Sequence, residues 1–246
     1  MKYRYCVIVL SLLLCICIFT GMTTRSNFTD NSKADMNELG YNYFSFDFEE
    51  VDIDSLWNEA DLIVVAKFTG NRTARNRCFL SEVEVLSVEK GDKTLEKSTI
   101  SVYEAVSYSS FRIDDWIADS PSIWKKIEKG FHVSKENNLY LLPGQRPYEV
   151  SPLLNQEKDY ILFLNAYDPD NILNSDPEKY IFVECPCAKI WATDSVALSE
   201  YQLPDEYPLY KDISTYEILL KDQDSYRKFL SVKQKIMDRI SYSHGN

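Results

Sequence analysis

The segment Asp61-Leu-Ile-Val-Val-Ala-Lys-Phe-Thr-Gly70 carries the clearest structural signal in this chain. Its centre is apolar at consecutive positions and rich in β-branched residues, as in a strand that is buried on both faces. A turn signal, Gly70-Asn71, follows directly. The segment therefore predicts a core strand that ends near Gly70.

Further strand patterns follow in the same rhythm. Phe79–Lys90 alternates apolar and polar residues and stops at Gly91-Asp92, and Ser98–Glu104 repeats the alternation. Later strands are predicted at Asn138–Leu142, Asp159–Tyr167, Tyr180–Glu184 and Lys189–Ala192. Short strands separated by Gly-containing turns are typical of an antiparallel meander rather than of strand–helix–strand units. The predicted fold class is mainly β.

Helical signals lie in an insertion and at the C-terminus. The strand rhythm breaks between residues 105 and 136, where a short helix is predicted from Ser120-Pro121 to Gly130 by its N-cap, its first-turn proline and its terminal glycine. Two more helices are predicted at 212–222 and 224–241. In the last one, apolar residues recur at spacings of three, four and seven, which indicates one buried face.

The chain opens with an export signal. Residues Tyr5–Thr24 carry no charge and follow Lys2 and Arg4, the pattern that a secretion translocon recognises. The two cations favour the cytoplasmic side, so the remainder is expected outside the cell or at its surface. The run lies between the core of a removable signal peptide, about 7–15 residues, and a spanning helix, about 17–25. A retained anchor is slightly favoured because Ala-x-Ala is missing, and cleavage stays open.

The charge balance excludes some partners. The chain has a net charge of −11, and removing Lys2, Arg4 and Arg25 leaves 24 basic against 38 acidic residues, or −14 for the exported part. An acidic surface repels phosphate backbones, so no nucleic-acid partner is predicted. The same field repels anionic lipid, so membrane contact is expected only through the N-terminal segment.

Three cysteines lie outside that segment: Cys78, Cys185 and Cys187. An odd count in an exported chain permits one disulfide. Cys185-Pro186-Cys187 is not expected to close on itself, because an extended segment holds the two Cβ atoms too far apart. The favoured interpretation is a bond from Cys78 to one of the pair. Three free buried thiols are an equally good alternative, and a zinc site completed by His132 is disfavoured because its spacing is unusual.

Catalytic signatures are missing from the sequence. It contains no Gly-x-Ser-x-Gly, no His-Glu-x-x-His and no glycine-rich phosphate loop. His132 and His244 are the only histidines, and nucleophilic catalysis generally needs a base beside the nucleophile. The sequence therefore predicts no catalytic residue, no metal and no cofactor.

Four segments carry a family resemblance: Glu59–Phe68, Glu82–Asp92, Thr99–Tyr103 and Glu157–Leu164. Together they resemble the strand series of exported bacterial domains related to the tissue inhibitors of metalloproteinases and netrin-like modules. The resemblance covers about residues 55–193 and implies a closed antiparallel barrel of the OB type, with a helical insertion and C-terminal helices. The animal inhibitors chelate protease zinc through an amino-terminal cysteine. No cysteine lies near the expected start of the exported part here, so the resemblance implies the fold without the inhibitory activity.

These signals divide the chain into four regions. Residues 1–25 are predicted to be a signal peptide or anchor, 26–52 a linker or peripheral segment, 53–193 a β-barrel domain and 194–246 a helical appendage. The main hypothesis is a non-enzymatic, secreted or membrane-anchored module that binds a protein or another cell-surface ligand. Binding loops often carry aromatic anchors, which makes Phe111, Trp116 and Trp124 of the insertion the candidate surface.

Two other functions remain open at the level of sequence. An extracellular hydrolase or metal-dependent enzyme would require His132 to meet carboxylates in one pocket. A structural component of the cell envelope would be favoured by a retained anchor and a stable complex.

Overall fold

The computed structural model describes residues 34–43, 47–75, 77–110, 125, 127–134, 139–144, 146–167, 179–193 and 208–244. The chain divides into a unit Met1–Ala34, of which only Ala34 is described, and a compact unit Asp35–Asn246. The N-terminal signal or anchor at residues 5–24 therefore lies outside the described residues. Within the described ranges, no helix is long and apolar enough to cross a membrane.

Among its described residues the compact unit contains eight strands, three α-helices that are bounded below, further helical residues at 125, 127 and 128, and three short 3-10 helices, Met36–Glu38, Lys93–Leu95 and Pro147–Val150. The strands are β1 (Leu62–Arg75), β2 (Cys78–Lys90), β3 (Thr99–Glu104), β4 (Val106–Ser110), β5 (Leu139–Pro143), β6 (Asp159–Ala166), β7 (Lys179–Phe182) and β8 (Lys189–Trp191). The helices are α1 (Ile53–Glu59), α2 (Tyr210–Ile213) and α3 (Gln223–His244). The predicted mainly β class is confirmed.

Six strands form one sheet in the order β1-β2-β3-β7-β6-β8, and β1 also pairs with β6. All neighbours are antiparallel except β3 and β7, which run parallel. β4 and β5 form a separate antiparallel pair. Strand β4 was not predicted, because it lies where the strand rhythm of the sequence breaks.

The first strand is longer than predicted. It continues past Gly70 to Arg75, and its pairing with β2 shifts register between Phe68 and Arg72. Gly70 has a φ of +96°, a conformation that glycine adopts without strain. Gly70-Asn71, which predicts a turn, thus lies at a bulge within the strand. Gly91 ends β2 as predicted, with a φ of +101° and no room for a Cβ, which would lie 2.9 Å from the carbonyl oxygen of Asp61.

One hydrophobic core joins the sheet to the C-terminal helix. Val64 and Leu162, which pair between β1 and β6, are fully buried. Phe229 and Ile236 of α3 are also fully buried in the same cluster. Phe48 packs edge-to-face on Phe229 with ring centroids 5.8 Å apart. The residues predicted as an appendage and as the end of a linker therefore pack in the same unit as the strands.

The two predicted C-terminal helices have different outcomes. The helix at 224–241 is confirmed as α3, whereas the one at 212–222 is wrong, since only Tyr210–Ile213 is helical there. The backbone N–H of Leu219 instead donates to the carbonyl of Val150 at 2.7 Å. This tertiary bond replaces the one that the N–H of Leu219 would make within a continued helix.

A buried ion pair fixes the same segment. Glu217 accepts the backbone N–H of Trp191 at 2.7 Å and binds Nζ of Lys233 at 2.8 Å. The Lys233 side chain is only 2% exposed. The pair ties residues before α3 to both the helix and β8.

Candidate functional site

The predicted binding surface on the insertion stays a prediction. Phe111, Trp116 and Trp124 lie outside the described residues. Of the helix predicted there, Lys125, Ile127 and Glu128 are described and helical.

The structure holds Cys78, Cys185 and Cys187 as free thiols. Cys78 pairs with Arg75 at the tip of the β1–β2 hairpin. Cys185 and Cys187 lie near the other end of β1. The residues that flank them, Val183 and Ala188, hydrogen-bond to the backbone of Phe163 in β6. Phe163 in turn pairs with Ile63, near the start of β1. Ile63 and Arg75, at the two ends of β1, are twelve strand positions apart, at roughly 3.3 Å for each position. This distance is far longer than the Cα separation of a disulfide, about 4.4–6.8 Å. The expected bond from Cys78 to the pair is therefore not met in this structure.

An open pocket of about 300 Å³ lies between α1 with the segment before it, Pro147 and the loop that follows β7. Five carboxylate residues line it: Glu49, Glu50, Asp52, Glu59 and Glu184. Its apolar lining consists of Val51, Leu56, Pro147 and Pro186. We call this pocket the acidic groove. Sequence reasoning missed it, because its walls come from three separate parts of the chain.

Local capping builds one wall of the acidic groove. Asp52 is the N-cap of α1, where its carboxylate accepts the N–H of Asp54 at 3.2 Å and the hydroxyl of Ser55 at 2.6 Å. The hydrogen bond from Ser55 is the largest effect that lowers the pKa of Asp52 below its usual range. Leu56, one turn later, is buried and anchors the helix to the core. The cap thus holds an ionised carboxylate at the groove.

Cations offset only part of the charge of the acidic groove. Arg146 binds Glu184 at 2.9 Å, and Lys235 lies 4.0 Å from Glu50. Among the described residues, neither Glu49 nor Glu59 has a salt-bridge partner, and both are exposed. The groove therefore retains a negative field, with an apolar lining against which alkyl chains can pack.

The histidine expected in an enzyme site lies elsewhere. The carbonyl of His132 accepts the N–H of Gly40 at 2.9 Å, and His132 does not line the acidic groove. In the part of the chain that the structure describes, no three His, Cys, Asp or Glu side chains are grouped to hold a metal ion. His132 and the carboxylates of the acidic groove therefore do not share the pocket that the enzyme hypothesis requires.

A second polar cluster is buried inside the sheet around Glu104. One of its carboxylate oxygens accepts bonds from Arg72 at 2.9 Å and Ser81 at 2.6 Å. The other accepts the N–H of Leu154 at 2.8 Å and lies 3.3 Å from Nζ of Lys189. The side chains of Glu104 and Lys189 are 1% and 4% exposed. Because every carboxylate lone pair has a donor and solvent is excluded, we assign this cluster a structural role.

The Glu104 cluster predicts an acid-dependent loss of stability. Burial favours the neutral acid, but Arg72, Lys189 and the hydrogen bonds together outweigh burial, so the pKa of Glu104 is lowered below its ordinary value. A carboxyl group with a lower pKa in the folded state stabilises the protein above its unfolded-state pKa and loses that effect as the pH falls through its folded-state value. We expect urea titrations from neutral pH down to about pH 3 to show a steeper loss of unfolding free energy for the wild type than for Glu104→Gln. Parallel losses would contradict the assignment.

Comparison of the chain with protein-family profiles, curated proteins and solved structures finds no match.

Proposed function

We propose that this chain is an exported binding module and that the acidic groove holds a cationic segment of its ligand. The observation that carries the proposal is the placement of five carboxylates around one concave surface with an apolar lining. Lysine and arginine side chains match such a site, because their charged ends pair with carboxylates while their alkyl stems cover apolar surface. A protein or peptide rich in these residues is therefore the partner that we propose.

The long-range field supports the same class of partner. The exported part carries a net charge of −14 by sequence. Such a field raises the association rate of cationic ligands and falls with ionic strength. Binding of the proposed ligand should accordingly weaken as salt is added.

We also propose that β1, β2, β3, β7 and β6 form a closed barrel of the OB type. The support is a ring of pairings, since β1 bonds to β2, β2 to β3, β3 to β7, β7 to β6 and β6 back to β1. Five strands with both chain-neighbour and crossover pairings suit this class of small barrel. The resemblance to netrin-like domains remains part of this proposal.

A charge-matched pair of variants tests the acidic groove. We expect the full chain to bind a fluorescent octalysine peptide at low salt and to prefer it to an uncharged peptide of equal length. Replacing Glu49 and Glu59 together by Gln should raise the Kd about two- to thirtyfold, since each of the two exposed ion pairs contributes about 0.2–1 kcal/mol. Fluorescence anisotropy measures the change.

The control removes the same charge elsewhere. Glu84 and Glu157 are exposed and do not line the groove, so the double Gln variant at these positions should bind within about twofold of the wild type. Equal weakening by both double variants would mean that the peptide senses only the net charge. No binding at low salt would overturn the proposed function.

Export and anchoring form a separate proposal. If residues 5–24 are retained as an anchor, the full-length protein should remain with the membrane fraction after high-salt and carbonate washes, because a spanning apolar helix is not released by either treatment. Fractionation followed by N-terminal sequencing checks this. A soluble form that begins near residues 22–27 would show cleavage instead.

A further inference from the structure

Cys185 and Cys187 meet in a tight turn at the edge of the acidic groove. The N–H of Ala188 donates to the carbonyl of Cys185 at 3.0 Å, which closes a turn with Pro186 at its second position, where proline is favoured. The N–H of Cys187 points at Sγ of Cys185, 3.4 Å away. The segment is therefore turned and not extended, so the expected separation of the two cysteines is wrong and their side chains lie close together.

The two thiols have unequal environments. Cys185 is 8% exposed and lines the acidic groove, whereas Cys187 is fully buried. A hydrogen bond with the Cys187 side chain is the main effect that lowers the pKa of Cys185, against the opposing effects of burial and Glu59. Burial, followed by the contact with Cys185, raises the pKa of Cys187. Cys185 is thus the thiol that borders the groove and deprotonates more readily, and the buried Cys187 is held beside it.

We propose that Cys185 and Cys187 form a thiol–disulfide exchange pair that reduces a disulfide presented at the acidic groove. The Cys185 thiolate attacks one sulfur of the incoming disulfide, forms a mixed disulfide and releases the first thiolate, which takes a proton from solvent. Cys187 then loses its proton and attacks Sγ of Cys185. The second thiolate leaves and takes up the proton that Cys187 gave up, and the protein holds one Cys185–Cys187 disulfide, so that two electrons and two protons have passed to the substrate.

The geometry favours this role over that of two inert core residues. A disulfide needs its Cβ atoms about 3.5–4.5 Å apart, which a turn allows and a strand does not. A ring closed across one intervening residue is expected to be readily reduced again, as exchange disulfides are. This activity goes beyond the proposed binding function and does not require a cationic ligand. The groove would only enrich a disulfide that is positively charged.

Two small disulfides that differ in charge separate the two proposals. The reduced full-length protein is incubated in its native state with cystamine, a dication, or with bis(2-hydroxyethyl) disulfide, which is neutral. After acid quenching, denaturation and alkylation, peptide mapping by mass spectrometry locates each protected thiol. We expect both probes to produce the Cys185–Cys187 disulfide while Cys78 remains alkylated. We expect cystamine to react several-fold faster at low salt.

Single substitutions define the order of attack. Cys187→Ser should trap the probe as a mixed disulfide on Cys185, and Cys185→Ser should leave Cys187 without an adduct in the native protein. Cys78→Ser is the control and should still form the internal disulfide. The proposal is overturned if the neutral probe leaves both Cys185 and Cys187 alkylated in the wild type, or if it modifies Cys78 first. This outcome is measured on the wild type and does not depend on whether the variants fold. Equal rates with both probes alongside a normal disulfide would retain the pair and count only against the groove.

Discussion

Replacing Glu104 by Gln is expected to lower the free energy of unfolding by about 3–5 kcal/mol, the cost of removing one partner from a buried ion pair. Gln keeps the size of the side chain but removes the charge that faces Arg72 and Lys189. The Lys189 side chain is 4% exposed and that of Arg72 is 13% exposed, so water cannot replace the lost carboxylate. Since domains are generally stable by only about 5–15 kcal/mol, the variant should be close to unfolding at moderate urea concentrations.

A matched control lies on the surface. Glu38 binds Lys211 at 3.2 Å, with both side chains about half exposed, so Glu38→Gln should cost about 0–1 kcal/mol. Urea denaturation followed by tryptophan fluorescence gives both values. Similar small costs for the two variants would show that the Glu104 cluster does not hold the sheet together.

Replacing Leu162 by Ala is expected to cost about 2–5 kcal/mol, because it removes buried methyl groups and leaves a cavity. Leu162 is fully buried in β6, where it pairs with Val64 of β1 across the join between the two strands. The cavity would lie between β6 and its neighbours in the sheet, where closely packed side chains have little freedom to close it.

Lys93→Ala is the comparison for the core variant. Lys93 lies in the turn after β2, its side chain is 66% exposed, and its contacts are the carbonyl of Val88 and the carboxylate of Glu96. Losing these exposed contacts should cost at most about 1 kcal/mol. The thermal midpoints of the two variants are measured at one protein concentration. Equal decreases in the two midpoints would contradict the assignment of β6 as a core strand.

Most strand positions follow from local sequence patterns. The apolar runs at 61–70 and 159–167 predict β1 and β6, and the alternation at 79–90 predicts β2, because a strand that packs on a core must place apolar residues at fixed positions. Gly91 ends β2 where the sequence predicts a turn. The apolar spacing of three, four and seven likewise predicts α3. These features depend on neighbouring residues only.

Other local signals were overridden by contacts between distant residues. Gly70 continues a strand through a bulge, since its positive φ is compatible with the pairing of β1 and β2. Residues 214–222 do not form a helix, because Leu219 bonds to Val150 and Glu217 is paired with Lys233. Propensity is a weak preference that a few buried tertiary bonds can outweigh.

The candidate sites depend entirely on the tertiary structure. The Glu104 cluster joins residues that are up to 117 positions apart in the sequence, Arg72, Glu104 and Lys189. The residues next to each of them in the sequence do not identify its partners. The acidic groove combines residues 49–59 with Pro147 and the loop at 184–186. The acidic composition and the spacing of Cys185 and Cys187 are visible in the sequence, but charge and spacing do not give distance. Only folding decides which carboxylates face one concave surface and whether a Cys-Pro-Cys segment is extended or turned, because both depend on packing between parts of the chain that are far apart in sequence.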